Sequence, residues 1–225
     1  MKYLFTFLFS FYVCHLSAQS KFGLGVFTSF DATGMIGEGF YAMIGQDGYN
    51  RIAFGYQYGL RMRYQFNSTI SLHAGISHVT HQLRTSRVYL NFRDKGDPLI
   101  PSSYIRMPAL RMIQIPLMAS FYKGNKLKLG GSLGFAYNYT YQYDDRAILY
   151  FGNHEEQYLV ERKLTEKNQF VSGQLGVGLE YWATKFAFRV EPNFSCQLFY
   201  FNNTYANKNY NLYAVGLNLS SFYFF

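Results

Sequence analysis

Three of the five histidines, His73, His78 and His81, crowd into one short stretch, the first place in this chain to look for chemistry. Metal ligation needs side chains that converge on one point. In an extended segment His73 and His81 share a face but stand far apart, and His78 points the other way, so no metal site is expected. Ser77-His78 offers a nucleophile beside a base, yet no acidic partner is evident to complete the arrangement. Asp144, Asp145, His154, Glu155 and Glu156 form an acidic group without the ligand spacing of a calcium loop, and they read as a solvated loop. Asn67-Ser68-Thr69 and Asn202-Asn203-Thr204 match a glycosylation sequon and read better as turns. No catalytic, cofactor-binding or metal-ligating residues are therefore expected.

A second set of candidates emerges from the pattern that positions them. From 52 to 66 every even residue is large and apolar (Ile52, Phe54, Tyr56, Tyr58, Leu60, Met62, Tyr64, Phe66). Every odd residue is small or polar, including Gln57, Arg61 and Arg63. Period two marks an extended strand with opposite faces. A strand so long and so aromatic on one side fits one face in lipid and the other in a polar barrel lumen. On that reading Arg61, Arg63, His73, Lys128, Glu180, Arg189 and Glu191 face the lumen. Charges there must be paired or hydrated. The favoured expectation is a structural network that plugs the barrel, because eight strands leave an interior that side chains fill. The alternative is a narrow polar conduit.

The same alternation recurs along the chain. Strands are expected at 21–30, 52–66, 70–83, 111–122, 127–143, 170–182, 186–200 and 210–225. Short turns at 67–69, 123–126 and 183–185 alternate with long loops at 31–51, 84–107, 144–169 and 201–209, and 94–98 carries a strong turn signal. Val79 falls out of phase, and a bulge or an exit from the membrane near it would account for that. Pro116 cannot donate to a ladder, so a local bulge or a missing hydrogen bond is expected there.

Composition agrees. The chain has 225 residues, 23 Phe and 22 Tyr, only 15% charged residues and a formal net charge of +8. Mean hydropathy is −0.12, far below that of a protein spanning the membrane with helices. The basic excess is not in a continuous block, so nucleic-acid binding is not expected; a basic rim suits lipopolysaccharide phosphates. Lys2, the apolar run 3–13 and Leu16-Ser17-Ala18 read as a secretory signal peptide cleaved after Ala18. Residues 1–18 are then the signal and 19–225 one barrel domain. Cys14 leaves with the signal, and Cys196 alone cannot form an internal disulfide.

Two features carry a resemblance. The final aromatic strand ending at Phe225 resembles the C-terminal signal read by the barrel-assembly machinery. Met112-Ile113-Gln114-Ile115-Pro116-Leu117, a turn, then Gly130-Gly131 with Gly134 and Tyr137, resembles the small outer-membrane β-barrel domains of Bacteroidetes, including the PorT-like group. An acidic residue often stands in that family where Gln114 stands here.

The fold expected is all-β: an eight-stranded antiparallel transmembrane β-barrel, up-and-down, with short periplasmic turns and long extracellular loops. The soluble alternative is an aromatic β-sandwich. The location expected is the bacterial outer membrane. The leading function is that of a non-enzymatic surface or scaffold protein whose loops bind a partner or which stabilises the envelope. The PorT-like resemblance implies a component of a protein secretion assembly instead, and a lipid A-modifying enzyme is the third reading. Expected partners are outer-membrane lipid and lipopolysaccharide, the barrel-assembly machinery during insertion, and secretion-system proteins under the second reading. No cofactor is expected.

Overall fold

The structure, a computed structural model, describes residues 22–36, 51–90, 100–151, 154–162, 169–202 and 211–225. The expected signal segment at 1–18, the turn at 94–98 and the tip of the loop at 201–209 lie outside them. Among the described residues there are eleven strands: β1 (Phe22–Ile36), β2 (Ala53–Gln65), β3 (Ile70–Gln82), β4 (Val88–Tyr89), β5 (Ser103–Arg106), β6 (Ala109–Gly124), β7 (Leu127–Tyr150), β8 (Glu155–Arg162), β9 (Gln169–Ala183), β10 (Phe186–Asn202) and β11 (Asn211–Phe224).

Eight of them close into a ring. The order is β1-β2-β3-β6-β7-β9-β10-β11, every neighbour is antiparallel, and β11 returns to β1 through Gly23↔Phe224 to Ile36↔Asn211. The eight are the eight expected strands. Closure removes the free edges that an open sheet would leave. The two ends of the ladder also meet directly, with the Phe225 amide donating to the Phe22 carbonyl at 3.3 Å and the two rings stacked at 6.2 Å.

Alternation sets the faces. Phe54, Phe30 and Leu129 are 75%, 68% and 66% exposed on the outer wall, whereas the inward Phe27 is 4% exposed. An apolar exterior around a polar interior inverts the soluble arrangement, and the aromatic sandwich is thereby excluded. The short turns have the expected chemistry. Asn67 Oδ1 accepts from the Thr69 and Ile70 amides at 2.9 and 2.8 Å. Gly124 takes φ +146°, which favours glycine, and Thr184 takes φ +49° in the turn after β9.

The long connections differ from expectation. β1 runs on through Ile36, β7 through Tyr150, and β4, β5 and β8 occupy segments expected as loop. β5 and β8 both pair with the upper part of β7, and β4 pairs with β5, so a small sheet stands above the ring. A strand of 24 residues far exceeds the ~9–11 that span a membrane. Its outer half needs no greasy face, so the alternation that reveals a strand in lipid is missing there.

Pro116 keeps its register with β7 opposite Ala136. Towards β3, pairing stops at Ala74↔Leu117 and resumes at Ser77↔Gln114. The missing-bond form of the expectation holds, without a bulge. Pro192, not singled out from sequence, does the same: β10 pairs with β11 through it, while pairing with β9 skips from Val190↔Leu179 to Asn193↔Gly176. Around Val79, by contrast, both ladders of β3 run without a register shift, so no bulge lies there. Val79 faces inward and packs with Leu83, Met112, Phe170 and Leu212. The lumen itself is apolar at that level.

Close approach between strands leaves no room for a side chain at several glycines, Gly130 among the tightest. A Cβ on Gly130 would overlap the Phe121 carbonyl oxygen and crowd the Tyr122 backbone, whereas one on Gly173 would meet only the Leu198 side chain at 3.4 Å. Gly130→Val is expected to cost about 3 kcal/mol or more and to reduce the heat-modifiable folded band on cold SDS gels. Gly173→Ala should leave that band unchanged, and equal behaviour of the two variants would refute this packing.

Candidate functional site

The seven charged or titratable residues assigned to the lumen all lie in it. Arg61, Arg63, His73, Lys128, Glu180, Arg189 and Glu191 are each at most 6% exposed. They come from β2, β3, β7, β9 and β10, so only ring closure brings them together.

Glu180 is the centre. Its carboxylate accepts from Arg63 Nη1 and Nη2 at 2.5 and 3.0 Å, from Arg189 Nε and Nη2 at 2.9 and 2.6 Å, and from Trp182 Nε1 at 2.6 Å. Glu191 accepts from the Tyr122 hydroxyl at 2.5 Å and from Ser132 Oγ at 2.7 Å, and lies 3.7 Å from Arg189 Nη1. Gly176 makes the room, since a Cβ there would meet the Glu191 side chain. Aromatic faces also cover cations of the network: Arg61 lies 3.7 Å over Phe27, Arg189 4.3 Å over Tyr122 and Lys128 4.5 Å over Trp182. Lys128 also donates to the Ser68 carbonyl at 2.7 Å. His73 sits beside Ser71 Oγ at 3.1 Å and Arg189 Nη2 at 3.5 Å, as a member of the network.

Three further layers complete the filling. Towards the short turns, Trp182, Ala187, Phe222 and Phe224 form an apolar base, with Trp182 and Phe224 stacked at 4.6 Å. Towards the long loops, Gln57, Gln114, Asn138 and Gln174 form a chain of amides. Gln114 Oε1 accepts from Gln57 Nε2 at 2.6 Å and Gln174 Nε2 at 3.1 Å, and Gln114 Nε2 donates to Asn138 Oδ1 at 2.8 Å. Beyond them lies the apolar layer around Val79 and Met112.

The other candidates do not assemble. Ser77 is buried inside, 2.8 Å from Gln57 Nε2, while His78 stands on the outer wall with the Tyr141 hydroxyl 2.7 Å away. The two sit on opposite faces of β3 and cannot share a substrate. The acidic group, expected as a solvated loop, instead lies largely on the paired strands β7 and β8 with Asp144 buried, and it is split among separate partners: Asp144 pairs with Arg111 at 2.8 Å, Asp145 pairs with Arg106, and Glu156 bonds to Tyr158 and His154. The Tyr158 hydroxyl, and after it His154, hold the exposed Glu156 carboxyl below its ordinary value. Among the described residues, no three of His, Cys, Asp and Glu converge as metal ligands.

One arrangement escaped the sequence. The β6–β7 register shifts between Arg111↔Gln142 and Met112↔Thr140, leaving Tyr141 as the extra residue of a bulge. Directly paired residues share a face. Tyr143 therefore joins Leu110, which packs on the inner apolar layer, although unbroken alternation along β7 would give it the outer face of Leu129, Leu133 and Phe135. Gln142 and Asp144 move to the outer wall beside Arg111, with Gln142 Nε2 donating to Asp144 Oδ1 at 2.7 Å. No residue type around Tyr141 announces that slip.

The family model described as outer membrane protein beta-barrel domain matches residues 17–179. No curated protein matches. Among solved structures, Neisserial surface protein A is similar at 10% identity and TM-score 0.42, over 88% of this chain and 95% of that one. The attachment invasion locus protein Ail of Yersinia pestis is similar at 11% identity and TM-score 0.34, over 90% and 99%. The outer membrane protease OmpT of Escherichia coli is similar at 10% identity and TM-score 0.41, over 93% and 99%.

Replacing one member of the ion network strands the others. Glu180→Leu leaves Arg63 and Arg189 buried without their shared carboxylate, a loss of about 3–5 kcal/mol. The urea midpoint of the refolded protein is expected to fall accordingly. Cys196→Ser, on the outer wall away from the network, should leave it unchanged. A Glu180→Leu midpoint equal to that of the unaltered protein would show the network to be dispensable.

Proposed function

This chain belongs to the family of outer membrane protein β-barrel domains, and from that premise we propose that it is a closed, non-enzymatic surface barrel. Its outer membrane location follows from the family. Its work, on our reading, is done by the strands and loops above the ring and not by passage through it. The observation that carries this is the filling of the lumen: apolar base, ion network, amide chain and apolar lid occupy successive levels. A conduit needs an open file of water, and paired charges with aromatic covers leave little reason for one.

The sheet of β4, β5, β8 and upper β7 is where a partner would dock. Tyr89 and Tyr158 are exposed there, and tyrosine is enriched at protein interfaces. The resemblance to the PorT-like group would make that partner a secretion component. Its motif, however, maps onto wall construction: Gln114 pairs with Asn138, Pro116 with Ala136 and Met118 with Gly134. Those residues support a barrel and are neutral on secretion. Outer-leaflet lipopolysaccharide and, during insertion, the barrel-assembly machinery are the remaining partners of this reading; export by an N-terminal signal peptide is part of it.

Reconstituted in planar bilayers, the protein is expected to give no solute-scale conductance steps. Reproducible steps from pure protein would overturn the closed-barrel reading. Replacing 146–160 by a short turn should preserve heat-modifiable folding and abolish crosslinks to cell-surface partners. Recovery of secretion proteins in the crosslinked complex of the full chain would establish the second reading in place of a free-standing surface role.

A further inference from the structure

The Tyr141 bulge builds something on the outer wall that neither the lumen network nor the loop sheet uses. At the rim where β7 leaves the ring, Tyr56, Tyr58, His78, Tyr141, Arg111 and Asp144 form one cluster. Tyr58 and His78 rings stack at 5.1 Å and Tyr56 stacks on Tyr58 at 6.3 Å. The Tyr141 hydroxyl lies 2.7 Å from His78 Nε2. Arg111 is anchored at 2.8 Å to Asp144, whose side chain is 2% exposed, yet the Arg111 side chain keeps 37% of its surface open. Anchoring fixes the guanidinium while its outer donors remain available, the geometry that suits an oxyanion such as a phosphate.

Immediately below this cluster the wall is grooved. Val26, Leu60, Ile76 and Ile113 line an open furrow of about 550 Å3 whose upper end is Tyr58 and His78. An apolar furrow inside the lipid layer that ends in an aromatic stack, with the Arg111 guanidinium two residues above Ile113 on the same face of β6, matches one kind of molecule. It needs an acyl chain for the furrow, a sugar for the aromatic faces and a phosphate for Arg111. We propose that this face is a site for a phosphorylated, acylated glycolipid of the outer leaflet, namely lipopolysaccharide, held one chain deep against β1, β2, β3 and β6. The furrow and the aromatic stack distinguish it from the diffuse attraction of a basic rim, and it does not depend on the loop-partner reading.

The test uses the full refolded protein in a neutral detergent, with purified lipopolysaccharide, the same lipopolysaccharide after phosphatase treatment, and phosphatidylglycerol as probes. Binding is read by native mass spectrometry. The protein is expected to bind intact lipopolysaccharide at least 10-fold more tightly than the dephosphorylated form and than phosphatidylglycerol. Arg111→Gln should remove the preference for phosphate. Ile76→Trp, which fills the furrow without touching Arg111, should weaken both lipopolysaccharide forms by a similar factor. Each variant is compared only after its heat-modifiable band shows a folded barrel. Equal binding of the two lipopolysaccharide forms by the unaltered protein would overturn the proposal. So would phosphatidylglycerol binding as tightly, or folded Ile76→Trp binding like the unaltered chain.

Discussion

Every backbone donor and acceptor in a lipid layer must find its partner within the protein, because the surroundings offer none. The seam between β1 and β11 is where this chain meets that demand. It joins the first strand to the last over nearly their whole described length, from Gly23↔Phe224 to Ile36↔Asn211. Without that seam both strands would be edges, the lumen charges would have no enclosure, and Arg63 on β2 could not be held opposite Glu180 on β9. The ion network is thus a consequence of closure as well as a support for it.

Closure creates its own problem, since an interior of eight strands is narrow and half of every strand points into it. The chain solves this with size matching. Glycines such as Gly176 and Gly130 stand where a neighbour's side chain or backbone comes close. Two carboxylates are shared among several donors so that few charges need many contacts. Burying such groups is costly compared with apolar filling, and a fully apolar interior would also have been possible. What the network adds is register: a strand slipped by one residue would place Arg63 or Glu180 in lipid.

This is also why the sequence was so readable within the lipid layer. Where one face meets acyl chains and the other meets polar partners, alternation is enforced at every position, and the parity of 52–66 correctly sent Arg61 and Arg63 inward and Tyr58 outward. The same parity placed His73, Lys128, Glu180, Arg189 and Glu191. It could not name their partners, because Tyr122, Ser120 and Ser132 stand on β6 and β7, which are not neighbours of β10 and reach its side chains only across the lumen of the closed ring. Legibility ended at the rim. β8, the upper part of β7 and the end of β1 are paired strands without a lipid face, so their residues carry no period-two signal. Val79 misled for a related reason: its phase was right for the lumen, but an apolar lumen layer looks from sequence like a strand that has turned over.

The irregularities of the wall are distributed by the same rule. Both described prolines inside the ring, Pro116 and Pro192, delete pairing on one side while keeping register. The shifts that do change register lie between Arg111 and Met112, between Gln197 and Phe199, and between Tyr200 and Asn202, all on the long-loop half. A bulge exposes unpaired backbone, which lipid penalises and the wetter interface tolerates. The outer rim is therefore the level at which this fold can change which side chains face outward without losing the barrel. Gln142 and Asp144 reach the outer wall by that route, beside Arg111, which regular alternation on β6 already turns outward. New outward chemistry in such a wall is cheapest at this level, one bulge away from an otherwise fixed pattern.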